Sequence, residues 1–322
     1  MGSRWVGVAE ETTFGTEVTT PTLSMRVLDL DLNPDQQRIL EYESNSRMKE
    51  FSLLGPFIGS GRLTAWARPD TIGYFLKWLT GNVTSSQIGS SAAYQHTFKL
   101  ADAIKSFTLT DNRGLSGVNS RACIGCLVKS MTIEAPARGV VSYELDIQYT
   151  WEKLVSAPTK GTLSSLRPFL WSDASVSLGG ETVGKAESLR FVWTNSIPDD
   201  VHNLGSRKIE DIILEGVEVT MEMDLKFTNW DMRELFYGAE DSTEPQSEEG
   251  TFAFNAVFTG ESTGESESGA EYYELELNFP KVVVKENPAP ISRRDRLTQR
   301  VTLEALLDDN NYIKLINKTV SY

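Results

Sequence analysis

Two cysteines, Cys123 and Cys126, and two histidines, His96 and His202, are all that the 322 residues hold of either type. So few thiols exclude a disulfide framework and fit synthesis in a reducing cytoplasm. Cys123-Ile124-Gly125-Cys126 has the spacing of a redox or half-zinc motif, but a structural zinc needs four ligands. Two small residues entering a strand is the simpler reading. With two histidines, nucleophile and base chemistry has few players, and no Gly-x-Ser-x-Gly, phosphate-loop or His-Glu-x-x-His pattern occurs. The expectation is no enzyme, no cofactor and no metal. Apolar runs of the roughly 18 to 20 residues that a membrane span requires are also missing. The start of the chain has no apolar signal core and carries Glu10 and Glu11 early, so a soluble, non-secreted protein is expected.

Positive charge is scarce where negative charge accumulates. Net charge is −14. Residues 1–160 hold 16 basic and 16 acidic side chains, and residues 161–322 hold 15 and 29. From Arg233 to Lys281 no Lys or Arg intervenes. Such a surface repels phosphates, so tight non-specific binding to nucleic acid is not expected. Glu218, Glu222 and Asp224 share one strand face, and Glu265 and Glu267 lie in an acidic turn. Paired carboxylates can hydrolyse glycosides, but like charges on a solvated face are the commoner cause of such spacing. Arg293, Arg294 and Arg296 form the one basic concentration in the acidic half, suited to an acidic surface on a neighbouring subunit. Tyr143, Tyr149 and Trp151 could make a sugar-binding strip, but they lie on the apolar face of a strand, where core packing is the default.

What the chain has in quantity is alternation. In Glu215–Gly238, Val219, Met221, Met223 and Leu225 alternate with Glu218, Thr220, Glu222 and Asp224, the two-residue period of a half-buried strand. A short helical pattern follows, with Met232, Leu235 and Phe236 inward and a closing Gly238. Ser60–Gly81 repeats the unit: Leu63, Ala65 and Ala67 alternate with Arg62, Thr64 and Trp66, then Ile72, Phe75, Leu76 and Leu79 share a helix face. Asp70 and Asn229 stand where N-caps would be. An internal duplication is therefore expected. Around these units, Arg4–Pro21 reads as an irregular arm and Leu127–Glu134 with Val141–Trp151 as a hairpin. Val155–Leu166 reads as a domain boundary, and 170–178 with 188–194 as a strand pair across Gly179-Gly180. Val282–Glu286 with Leu297–Leu307 reads as a second hairpin. The partition expected is an arm over 1–24 and two domains over 25–160 and 161–322. Each domain is mainly β, a sandwich or barrel with one flanking helix. The polar stretches 33–60 and 195–210 are too long for turns and are expected to contact partners.

Gly7-Val8-Ala9-Glu10-Glu11-Thr12-Thr13-Phe14-Gly15-Thr16 opens the chain, followed by Leu76–Gly81, Leu189–Asn195 with Leu204-Gly205, and Arg296–Thr319 at the close. In that order these segments resemble the tail tube proteins of long-tailed bacterial viruses over nearly the whole length. The resemblance implies a β-sandwich or barrel per repeat, rings stacked into a hollow tube, and passage of DNA through the lumen without tight binding. It also implies a virion protein assembled in the host cytoplasm, partnered by itself and other tail proteins and not by membrane. Most members carry one such domain and form six-membered rings, so the duplicated form implies three chains per ring. Arg47, Phe51, Leu54, Phe57, His202, Arg293, Arg294 and Arg296 are the expected contacts between subunits. Glu218, Glu222, Asp224, Glu265 and Glu267 are the expected acidic lining or interface. The alternatives are another structural protein of the virion or a fibre, or a carbohydrate-binding β-sandwich module.

Overall fold

Alternating side chains over Leu63–Ala67 and Val219–Leu225 place one apolar row on each strand, and the structure buries both rows completely or nearly so. A computed structural model of the chain describes residues 4–41, 47–49, 51–115, 117–183, 186–239, 241–248, 250–289 and 297–322. Among them the first half contains β1 (Trp5–Glu10), β2 (Leu23–Met25), β3 (Asp29–Asp35), β4 (Ile39–Glu41), β5 (Phe51–Leu53) and β6 (Ile58–Trp66). It continues with α1 (Ile72–Thr80), β7 (Gly81–Gln87), β8 (Tyr94–Leu100), β9 (Phe107–Asn112), β10 (Ser120–Ala135), β11 (Ser142–Tyr149) and β12 (Trp151–Val155). The second half contains β13 (Ala174–Leu178), β14 (Glu181–Thr182), β15 (Ala186–Ser196), β16 (Gly216–Lys226) and α2 (Asp231–Tyr237). It ends with β17 (Phe252–Ser262), β18 (Tyr272–Glu286), β19 (Thr298–Ala305) and β20 (Tyr312–Asn317). The fold is mainly β, and its strand pairs are antiparallel, as expected.

The long strands β10 and β18 each change partners along their length, and β10 serves two sheets. The N-terminal part of β10 pairs with β9 and β12, and its C-terminal part pairs with β11 and β15. Between them the register breaks at Cys123/Cys126, where Gly125 takes φ 66°. Only glycine fits there, because a Cβ would stand 2.3 Å from Thr150 Cγ2. This bulge turns the strand from one layer into the other. Both cysteines are buried in it, as the strand reading has it. In the same way β18 pairs with β20 toward its start and β19 toward its end, with β17 on its other side.

The pairing order of the first half recurs in the second. β1 pairs with β2 and β9 as β13 pairs with β14 and β17. β6 lies between β3 and β11 as β16 lies between β15 and β19. Each strand-helix unit ends in a left-handed glycine, Gly81 at φ 86° and Gly238 at φ 112°. The hairpin of β7 and β8 follows α1 and has no paired counterpart among the described residues after α2.

The two halves share one core, joined by the β10–β15 and β8–β20 pairings. One sheet therefore runs β3-β6-β11-β10-β15-β16-β19-β18, eight strands across both halves.

Several expectations are corrected. Trp5–Glu10 is not part of an irregular arm; it pairs along its whole length with β9, because Trp5, Val6, Val8 and Ala9 are apolar enough to be buried. The strands around Gly179-Gly180 do not pair with each other. β13 turns there into the two-residue β14 and pairs with β17, while β15 runs on between β10 and β16. Neither Asp70 nor Asn229 caps a helix, since Asp70 accepts from Ser164 Oγ at 2.8 Å and Asn229 bonds Asp231. The 155–166 stretch lies against the first half, with Gly161 N donating to Ser24 Oγ at 2.9 Å and Arg68 donating to Leu166 O. α1 buries its whole expected face, but α2 buries only Leu235 fully and leaves Phe236 39% exposed.

Candidate assembly interface

The eight-stranded sheet has one face packed on the core and one face in solvent. On the solvent face, Glu218, Glu222 and Asp224 project from β16 as the alternation requires, and each meets a cation. Lys285 Nζ lies 3.8 Å from Glu218, Arg190 lies 3.6 Å from Glu222, and Arg300 lies 2.9 Å from Asp224. Partial burial works the other way, but the hydrogen bonds from Arg300 and Ser188 hold the Asp224 carboxyl below its usual range. Arg190 also reaches Glu134, and Arg62 reaches Glu144, so the ion pairs ladder across the sheet. Cross-strand pairs of this exposure contribute about 0.2–1 kcal/mol each. The face is acidic but not bare, and Arg62, Arg190, Lys285 and Arg300 on it are already engaged.

Glu265 and Glu267 are elsewhere. They lie in the turn between β17 and β18, where Lys318 bonds Glu265 at 2.7 Å and Glu267 crowds Gly89 of the β7–β8 turn. The expected acidic set is therefore two sets.

The inter-subunit candidates also separate. Arg47, Phe51 and Leu54 are exposed, the last two at 50% and 51%. Phe57 is buried against Tyr149 and Trp151, with ring centroids 6.2 and 4.9 Å away, so it belongs to the interior of its own chain. Tyr149 and Tyr143 are buried too, which is the packing role expected of them. Arg293, Arg294 and Arg296 lie outside the described residues. His202 is half-buried in the segment after β15, in a bridge with Ile209. Part of that segment lies on the first half of its own chain, while Leu204 is fully exposed. Thr150 Oγ1 donates to Ile209 O at 2.7 Å, Phe57 N donates to Arg207 O at 2.8 Å, and Lys208 stands 4.6 Å over the Trp151 ring.

Residue-type reasoning missed the role of Glu11. It is 2% exposed and its two oxygens accept four hydrogen bonds: from Ser106 Oγ, Thr108 Oγ1 and Gly125 N at 2.8 Å and from Gly15 N at 2.9 Å. Its neighbour Glu10 accepts from Trp78 Nε1 at 3.0 Å and pairs with Lys77, fastening α1. The Glu10-Glu11 doublet in the opening segment was the available signal.

Among the described residues the sheet has two unpaired borders. β3 pairs with β6 on one side only, and β18 over Val283–Glu286 pairs with β19 on one side only. Unpaired edges invite another strand. In the chain's interior the same borders meet: β10 and β15 occupy the positions of β18 and β3 and pair over Ser130–Ala135 with Leu189–Thr194.

A protein-family model described as "Phage tail tube protein" matches residues 6–305. No curated protein matches the chain.

Proposed function

Because the chain belongs to the phage tail tube protein family, a family of structural tail proteins, we propose that three copies close edge to edge into a ring of six β-sandwich units, and that rings stack into the tube that conducts DNA. The observation that carries this reading is the β10–β15 joint, which is one solved example of the contact the two free borders need. Equivalent positions follow from register. Leu145 lies between Leu63 and Met131 as Leu303 lies between Met221 and Val284, and Leu30 faces Leu63 as Phe191 faces Met221. The internal pair Thr132–Val192 then becomes the bulged Lys285-Glu286 step of one copy opposite Asp31 of the next, because Thr302, the counterpart of Glu144, pairs with Glu286. Recurrent pairing order in the two halves supports descent by tandem duplication and the division into two units, 25–160 and 161–322.

A ring closed through these borders has an inside and an outside. The core, helices and second layers thicken one side of the eight-stranded sheet, so closure is least crowded with that side outward and the ion-paired face toward the bore. Counterion release from each unpaired Lys or Arg would hold DNA. On this face Arg62, Arg190, Lys285 and Arg300 are already matched by carboxylates, which supports passage without retention. The tail of the virion is the resulting location, with assembly in the host cytoplasm and other tail proteins at the tube ends.

Native mass spectrometry with negative-stain imaging tests this directly. Trimers and stacked rings are expected for the purified chain. A chain that stays monomeric at high concentration would overturn the reading.

A further inference from the structure

The segment joining β15 to β16 and the segment joining β3 to β6 occupy equivalent places, yet one is covered and the other is not. Ile197 and Ile209 of the first are buried, packed with Leu127 and Ile104 or bonded to Thr150 at the end of β11. Gln148 Nε2 donates to Pro198 O at 3.4 Å and Arg207 Nε donates to Gly55 O at 2.7 Å. The segment thus closes a groove beside Gln148–Trp151. In the second half the same groove is open. By the register given above, Ile147, Gln148 and Tyr149 correspond to Ala305, Leu306 and Leu307. There a cleft of about 380 Å³ is lined by Val217, Val219, Phe279, Ala305, Leu306 and Leu307 on one side and by Asn82, Lys99, Leu100 and Asp102 of the first half on the other. Leu307 is 82% exposed.

The β3–β6 segment has the complementary surplus. Ile39, Leu40, Phe51, Leu53 and Leu54 are each 42–55% exposed, and among the described residues β4 and β5 pair only with each other. Phe51 stands seven residues before β6, as Ile209 stands seven before β16. Its own chain cannot supply the groove, because β3 and β19 are six strand spacings apart, about 29 Å at the usual ~4.8 Å. Across the ring joint they are two spacings apart, as β15 and β11 are within the chain.

We infer that the β4–β5 hairpin of one copy docks into the Val217–Leu307 groove of the adjacent copy, repeating between chains the cover that 197–214 gives within one. This inference rests on the ring reading above, and apolar burial drives it. The order of events also follows. Within a chain the first groove is sealed on folding, whereas the second is sealed only when a neighbour arrives, so exposed apolar surface marks the growing border.

The test is a Phe51→Cys/Leu307→Cys double variant treated with a short bismaleimide. The native thiols do not compete, since both are buried and burial pushes Cys123 up to about 12 and Cys126 higher than its ordinary value. Expected are covalent species ending at three chain masses under denaturing conditions, with neither single variant producing them. Leu307→Glu should keep the native circular dichroism and weaken trimerisation at least tenfold. Trimers in native mass spectra with no cross-link, or with Leu307→Glu assembling like the parent, overturn the docking and leave the ring standing. Absence of trimers in every variant and in the parent overturns the ring reading instead.

Discussion

At Glu11 a carboxylate with almost no solvent contact is held by two hydroxyls and two backbone amides from three parts of the chain. Burying a carboxylate is costly unless such donors replace water. The donors are then equally dependent on the acceptor. Glu11→Ala would leave four of them unsatisfied and is expected to destabilise the fold by roughly 2–4 kcal/mol, with Glu11→Gln intermediate because it keeps one acceptor oxygen. Urea denaturation of the two variants checks this, and losses under about 0.5 kcal/mol would contradict it. The residue explains why the opening segment has its particular composition: Gly15 supplies a donor from a left-handed turn at φ 72°, and Glu11 accepts it.

Each strand-helix unit depends on the glycine that ends it. Residues with a Cβ resist positive φ at a cost of about 1–2 kcal/mol. At Gly81 the added atom would also meet Ala103 O at 2.2 Å, a backbone atom in the connection that follows β8. At Gly238 the nearest atom, Glu248 O, is 2.8 Å away, and α2 is only partly buried. Gly81→Ala is therefore expected to lower the melting temperature more than Gly238→Ala. Thermal unfolding followed by circular dichroism decides the order, and the reverse ranking would refute it. The difference between the helices follows from their surroundings, because β10, β8 and β7 pack against α1, whereas α2 lies chiefly beside β18.

For the whole molecule, the joint between β8 and β20 ties the halves together through a buried polar cluster. His96 is fully buried, with Nδ1 2.8 Å from Ser85 Oγ and Nε2 3.1 Å from Asn317 Oδ1, and the Tyr322 ring centroid lies 4.7 Å from its own. Desolvation lowers its pKa, against the smaller opposing effect of the Asn317 hydrogen bond. A histidine held neutral binds fewer protons folded than unfolded. Its contribution is therefore complete above the ordinary imidazole value and is lost as the pH falls through and below that value. Between about pH 7.5 and 5.5 the parent should lose more thermal stability than His96→Asn, the window in which an ordinary imidazole titrates. Equal losses would show that His96 does not couple the halves to acidity.

Alternation in Val219–Leu225, Leu63–Ala67 and Tyr143–Ile147, together with the closing glycines, determined the strands, the helices and their repeated order from local chemistry alone. Periodicity of two and a left-handed cap are properties of adjacent residues. Only the tertiary structure decided that Trp5–Glu10 is a core strand, that β15 joins β10 rather than β13, and that 197–214 seals one groove while its counterpart leaves another open. Those are contacts between residues distant in sequence, chosen by which apolar surfaces and strand borders find each other. No local pattern along the chain encodes that choice.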